Sequence, residues 1–155
     1  KEKFSLGGGN FTILLSTLAT IEFLGQIDAI IDGKTKKERN SLGKTFKNFI
    51  ENTEKIIGID KKDGERIWKI RNKLAHEFTP KIAAAIGMPF GVETDFENLF
   101  LNYHKFPIFD GHSDRINSNV LNQRLKFLLE YILKKIDNCD DVKIKKIEKY
   151  IGKIE

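Results

Sequence analysis

Residues 10–31, the longest apolar stretch with helical spacing, constrain the fold of this chain more than any other feature. Apolar residues recur there three or four positions apart, which predicts a helix. One stripe is Leu14, Leu18, Ile21 and Leu24, and it is broadened by Phe23, Ile27 and Ile30. A helix that is apolar on more than one face is expected at the centre of a bundle, largely buried.

Four further stretches share this spacing and predict helices over residues 39–57, 60–77, 117–137 and 140–153. Between the third and fourth, residues 80–116 carry glycines, prolines and two short apolar runs, 81–88 and 99–106. Glycines and prolines at this density, with short apolar runs between them, indicate a short irregular or two-stranded β insertion. The expected fold is mainly α, a bundle of about five helices forming a single domain over residues 1–155.

Length and composition narrow the class of protein. A chain of 155 residues fits one domain with a real core. The single cysteine, Cys139, excludes an intrachain disulfide and a cysteine metal cluster, which suits the reducing cytoplasm. Ser16 and Thr17 interrupt the first apolar stretch, so we expect no membrane span. No metal-ligand spacing is present in the sequence, and we expect neither a metal nor a cofactor.

The charge pattern leaves nucleic-acid binding open. The formal net charge of +5 permits it without demanding it. The last predicted helix carries lysines on the face opposite its isoleucines: Lys143, Lys145, Lys146, Lys149 and Lys153. Such a face can follow an RNA backbone, although in most proteins it is simply solvated.

Residues 70–78 of the third predicted helix are the most suggestive segment. This helix is otherwise apolar and expected to be largely buried, with Asp60 as its cap. At about 100° per residue, Asn72 and His76 lie one turn apart on one stripe, and Arg71 flanks them. We expect these three polar side chains to share one surface.

The chemistry of these residue types suits cleavage of RNA without a metal. His76 titrates near neutral pH and can act as the general acid or base. Arg71 can stabilise charge that develops on a phosphate, and Asn72 can position the substrate. The 2′-hydroxyl of RNA is a built-in nucleophile. The plainer alternative is that Arg71 and His76 only satisfy partners at a helix end.

Two further residues are candidates for substrate binding, Glu22 and Lys73. Glu22 interrupts the apolar first helix, so it either faces a polar cleft and pairs with Arg71, or lies on an exposed edge. Lys73 lies inside the motif itself.

Residues 71–76, Arg-Asn-Lys-Leu-Ala-His, resemble the signature of the HEPN superfamily. The resemblance implies a small helical bundle that acts as a metal-independent endoribonuclease in a toxin–antitoxin or phage-defence system. It also implies Arg71 and His76 as the catalytic pair, Asn72 as an accessory residue, and a product ending in a 2′,3′-cyclic phosphate. The implied partners are RNA, a second copy of the chain docked through the motif helix, and an antitoxin protein.

One position departs from the pattern. Related toxins that are silenced by a nucleotidyltransferase carry a tyrosine two residues after the histidine, whereas this chain has Phe78. Silencing by that route is therefore not expected. The rival interpretation is a non-catalytic HEPN-like module that binds a nucleotide or a partner protein.

Overall fold

Seven helices build the part of the chain that the structure, a computed structural model, describes. The described residues are 8–76, 108–109 and 116–153; of residues 8–11, 75, 76 and 119 only the backbone is described. The helices are α1 (Gly8–Ile31), α2 (Lys36–Arg39), α3 (Leu42–Asn52), α4 (Glu54–Ile57), α5 (Lys61–His76), α6 (Ser118–Asp137) and α7 (Asp141–Ile151). With no strand in these ranges, the expected mainly α bundle is confirmed.

The first helix is the centre of the bundle, as its apolar pattern predicts. It contacts α3, α5, α6 and α7. Its stripe residues are buried, apart from Phe23, which packs half-buried against the core. The hydroxyl of Thr17 donates to Asn122 Oδ1 at 3.0 Å, so a buried polar group of α1 is satisfied by α6.

Length and composition alone would allow part of α1 to span a membrane. The most apolar window of Thr12–Ile31 has a mean hydropathy of 1.5, and 56% of that window is buried in the bundle. The expectation that no segment spans a membrane is not tested by this property and stays a prediction. Central helices of bundles and N-terminal signal sequences share this property, so a cytoplasmic location stays a prediction.

The single helix expected over residues 39–57 is instead three short ones. A capping box starts α2 early: Glu38 N donates to Thr35 Oγ1 at 3.3 Å, and Thr35 N donates to Glu38 Oε2 at 2.7 Å. Thr53 separates α3 from α4, because its hydroxyl donates back to the carbonyl of Phe49 at 2.7 Å. Leu42, expected on the buried side, is 41% exposed.

The motif helix α5 begins where the sequence predicts. Asp63 N donates to Asp60 Oδ1 at 2.7 Å, which is an N-cap bond. Ile67 and Leu74 are buried, but residues on the other side are exposed, Lys69 among them. The helix is therefore amphipathic, rather than largely buried as expected.

Two glycines let α3 and α5 approach closely. A Cβ on Gly43 would lie 2.9 Å from the indole of Trp68, and a Cβ on Gly64 would lie 2.9 Å from Cγ2 of Ile50. A glycine of each helix thus lies directly against a bulky side chain of the other helix. This reciprocal fit sets the position of Trp68, three residues before Arg71.

The expected insertion, residues 80–116, lies largely outside the described residues. The three residues of it that are described, Ile108, Phe109 and Ile116, are buried in the core. Phe109 and Ile116 form an antiparallel β-bridge. Asn117 then caps α6, because its Oδ1 accepts from Val120 N at 3.1 Å.

A buried ion cluster ties the end of α1 to α6. Lys135 Nζ lies 2.5 Å from Asp28 Oδ1 and 2.7 Å from Asp32 Oδ1. Burial alone would lower the pKa of Lys135, but the hydrogen bonds and charges of the two carboxylates outweigh it and raise that pKa. Burial raises the pKa of Asp28, while Lys135 opposes that rise.

Candidate active site

Arg71 lies where α5 faces α1, and it contacts Glu22 there. Its Nη2 is 2.6 Å from Glu22 Oε2, and the two side chains are only 22% and 18% exposed. Of the two expectations for Glu22, the pairing with Arg71 is confirmed. The contact is a close ion pair without hydrogen-bond geometry, because Glu22 Oε2 accepts no hydrogen bond from a described residue, so charge attraction keeps the guanidinium beside α1.

An aromatic ring supports the same guanidinium. The Cζ of Arg71 lies 5.1 Å from the centre of the Trp68 ring, within cation–π range. Trp68 packs in turn against Phe46, with ring centroids 5.2 Å apart. Arg71 is therefore anchored to α1 through Glu22 and to α3 through Trp68.

Asn72 also contacts Arg71, and we call Glu22, Arg71 and Asn72 together the Arg71 cluster. Arg71 Nη1 donates to Asn72 Oδ1 at 3.3 Å. His76 is the last residue of α5, and its imidazole lies outside the described side chains. Four residues along a helix correspond to about 40° of rotation, so the backbone puts His76 on the Asn72 side.

Lys73 does not join this cluster. It is exposed, and two residues of helix turn it about 200° away from Arg71. Of the five candidate residues, the structure brings together Arg71, Asn72 and Glu22 and leaves Lys73 apart.

Glu22 also faces α7 through Tyr150. Burial raises the pKa of the Tyr150 phenol; the Arg39 guanidinium opposes that rise and the Glu22 carboxylate adds to it. The Tyr150 ring stacks on Phe23 of α1, with centroids 6.0 Å apart and planes at 24°. The carboxylate of Glu22 is thus close to both the motif helix and the last helix.

Two sizeable clefts among the described residues do not include Arg71. One, of about 550 Å³, lies beside Asp32 and Lys135. The other, of about 520 Å³, lies between α2 and α7 and is bordered by Arg39 and Tyr150. Tyr150, which borders the second cleft, stacks on Phe23, the residue that follows Glu22 in α1.

Comparison with known proteins adds no relative: no family model, no curated protein and no solved structure matches this chain. The resemblance to HEPN therefore depends on residues 71–76 themselves.

Sequence reasoning missed two contributors to this region. It assigned no role to Trp68, although the i, i+3 spacing to Arg71 is the signal for a side-chain contact on a helix. It also missed Arg39, which reaches Tyr150 from a distant segment, with its Cζ 5.7 Å from the ring centre. Nothing in the local pattern around Arg39 signals that contact.

Proposed function

We propose that this chain is a metal-independent endoribonuclease of the HEPN type. The observation that carries the proposal is the Arg71 guanidinium, held by Glu22 at 2.6 Å and by Asn72 at 3.3 Å on the helix that ends at His76. A guanidinium fixed in advance stabilises developing phosphate charge without reorganising during the reaction. Its five N–H donors exceed the two contacts made by Glu22 and Asn72.

In the proposed reaction the 2′-oxygen of a ribose attacks the adjacent phosphorus, and the bond from that phosphorus to the next 5′-oxygen breaks. A general base takes the 2′-proton and a general acid protonates the leaving 5′-oxygen. The products are a 2′,3′-cyclic phosphate and a 5′-hydroxyl. His76 serves as the acid or base, Arg71 stabilises charge on the non-bridging oxygens, and Asn72 positions the substrate.

The biological setting is proposed from the same resemblance: a cytoplasmic toxin–antitoxin or phage-defence protein. A homodimer through α5 would bring two copies of His76 to one cleft, so that one acts as base and the other as acid. An antitoxin protein is the proposed regulator. Because position 78 is Phe78, this regulator would not act by modifying a tyrosine there.

A cleavage assay in excess EDTA tests the proposal. We expect the wild-type protein to cleave structured or unstructured RNA. His76→Ala should lose about 10²- to 10⁴-fold in rate, the usual contribution of acid–base catalysis. Arg71→Ala should lose about 10²- to 10³-fold, the usual effect of removing a group that stabilises charge in the transition state. Lys62→Ala, at an exposed position near the start of α5, should cleave like the wild type. Absence of wild-type cleavage, or equal cleavage by His76→Ala, refutes the proposal.

The same ion pair favours a second candidate function. Since the Glu22 carboxylate neutralises Arg71 at 2.6 Å, the pair can be a structural link between α1 and α5 in a non-catalytic module that binds a nucleotide or a protein. This candidate predicts that Arg71→Ala lowers thermal stability while the wild-type protein leaves RNA intact. Cleavage by the wild type excludes it.

A further inference from the structure

The cleft between α2 and α7 is a strongly basic groove. It holds about 520 Å³, and six cations and no carboxylate are among its lining residues. The cations are Lys34, Lys36, Arg39, Lys146, Lys149 and Lys153. The net charge of the whole chain is only +5, so positive charge is concentrated in this one groove.

Two carboxylates near the groove have partners outside its lining. Asp32 is bound by Lys135 at 2.7 Å. Glu38 accepts from the backbone N–H and the hydroxyl of Thr35, which lower the pKa of its carboxyl, and the charges of Lys34 and Lys44 lower it further. This carboxylate therefore interacts with Lys34 through space, without an ion-pair contact. In the described part of the chain, none of the five groove lysines makes an ion pair. Their charge therefore remains open to an anionic ligand.

The two walls carry the cations in rows. On α7, Lys146 and Lys149 lie one helical turn apart, and Lys153 follows in the turn after the helix. The opposite wall supplies Lys34, Lys36 and Arg39 from α2 and the turn before it. Extended rows of charge fit a polymer of phosphates better than a single small anion.

Arg39 is the most firmly held of these cations. Its guanidinium lies against Tyr150, 5.7 Å from the ring centre, and its carbonyl accepts from Gln26 Nε2 at 3.1 Å. Its buried Nε makes no hydrogen bond to any described residue. The fold thus fixes a guanidinium whose donors it does not fully use, which is a common sign of a ligand site.

We propose that this groove binds the phosphodiester backbone of a nucleic-acid strand. The choice of RNA rests on the proposed function, whereas affinity for the backbone does not. Tyr150 borders the groove and stacks on Phe23, the residue that follows Glu22 in α1, so a strand in the groove would pass beside the helix that also carries the partner of Arg71. An acidic protein fits less well, because protein interfaces depend on aromatic and apolar anchors, and Leu42 is the exposed apolar side chain in the groove.

The test compares two double variants of equal charge on a His76→Ala background, so that RNA is not consumed. Lys146→Ala/Lys149→Ala removes two groove lysines, and Lys62→Ala/Lys126→Ala removes two exposed lysines outside it, on α5 and α6. Fluorescence anisotropy with labelled single-stranded RNA is measured over a series of salt concentrations. We expect the groove variant to bind roughly tenfold more weakly and its log–log salt slope to fall by about 1.4. The control should bind within about twofold of its parent.

Three results would overturn the inference: no RNA binding by the parent, equal loss in both double variants, or displacement of RNA by polyglutamate as effective as by unlabelled RNA. Circular dichroism checks that both variants fold, which we expect because all four lysines are exposed. Failure of the nuclease proposal is distinguishable. If the wild type does not cleave RNA but groove binding is as expected, the groove stands without the nuclease. If cleavage is intact and the groove variant binds like its parent, the groove alone is wrong.

Discussion

At the scale of single residues, the account depends on the contact between Arg71 and Glu22. Removing two charges from water costs free energy, and close approach must offset that cost. The 2.6 Å separation and the 22% and 18% exposure favour a real coupling between the two groups. The Glu22 carboxylate lies against the Arg71 guanidinium and also offsets its positive charge. The contribution of the contact can therefore be separated only by substituting both residues, singly and together.

A double-mutant cycle measures that coupling. We expect Glu22→Gln and Arg71→Gln each to lower the free energy of unfolding in urea by about 1–3 kcal/mol. Because each substitution removes the same contact, the double variant should lose about 1 kcal/mol less unfolding free energy than the two single losses added together.

The matched control is the Lys61–Glu51 pair, separated by 3.8 Å with side chains 70% and 50% exposed. Its coupling energy should be close to zero, since water screens exposed pairs. Additive effects at Glu22 and Arg71 would show that the contact does not position the arginine.

The Lys135 cluster gives a pH-dependent prediction. The raised pKa of Lys135 means that its contribution to stability is complete below about pH 10 and is lost as the pH rises through the folded-state value. At neutral pH, Lys135→Met leaves the Asp28 side chain, 4% exposed, without its counter-charge, which should cost about 3 kcal/mol.

The stability loss caused by Lys135→Met should be smaller at acidic pH. Burial raises the pKa of Asp28, so the carboxylate is neutralised as the pH falls through that raised value, and the variant no longer buries an unpaired charge. Urea unfolding of the wild type and Lys135→Met at about pH 7 and about pH 4 measures the difference. Equal deficits at both pH values would contradict the assignment.

At the scale of helices, periodicity predicted which segments are helical but not where they break. Phe46, Phe49 and Ile57 keep helical spacing across residues 39–57 and all are buried, so the apolar pattern runs through the break. The break is decided by the hydroxyl of Thr53, which bonds back to the carbonyl of Phe49. A side-chain-to-backbone bond of this kind leaves no trace in hydrophobic periodicity.

The glycine contacts between α3 and α5 predict an unusual cost for alanine. Alanine has the higher helix propensity, so Gly64→Ala by itself should stabilise α5 by about 1 kcal/mol. Its Cβ, however, would lie 2.9 Å from Cγ2 of the buried, β-branched Ile50, and such overpacking typically costs about 1–3 kcal/mol. We therefore expect a net loss of thermal stability.

Gly152→Ala is the control for this substitution. A Cβ there would make an ordinary contact of 3.5 Å with the Glu148 carbonyl, so stability should stay the same or rise. A stabilised Gly64→Ala protein would mean that α3 and α5 are not held at this distance.

At the scale of the whole molecule, α1 connects the two surfaces that carry the proposals. Glu22 of α1 meets Arg71, and Phe23 and Gln26 of the same helix meet Tyr150 and Arg39 at the basic groove. The Arg71 cluster and the groove are therefore arranged around one buried helix. The proposed strand in the groove and the proposed reaction at Arg71 would thus share α1 as their common support.

The sequence could predict one of these surfaces and not the other. Glu22 in an apolar helix suggested two alternatives, a pairing with Arg71 or an exposed edge, and the structure shows the pairing. The groove joins lysines near residue 35 to lysines near residue 150. Only the packing of α7 against α1 brings them together, and helical periodicity says nothing about which helices are neighbours. The sequence indicated the lysine face of α7, but it did not indicate which residues form the opposite wall of the groove.

The chemistry at the 3′ end of cleaved RNA tests the central claim most directly. Wild-type protein in excess EDTA should leave a 2′,3′-cyclic phosphate and a 5′-hydroxyl, and His76→Ala should leave neither above background. Fragments ending in a 3′-hydroxyl and a 5′-phosphate, or the same cyclic ends from His76→Ala, would contradict the assignment of Arg71 and His76 as the catalytic pair.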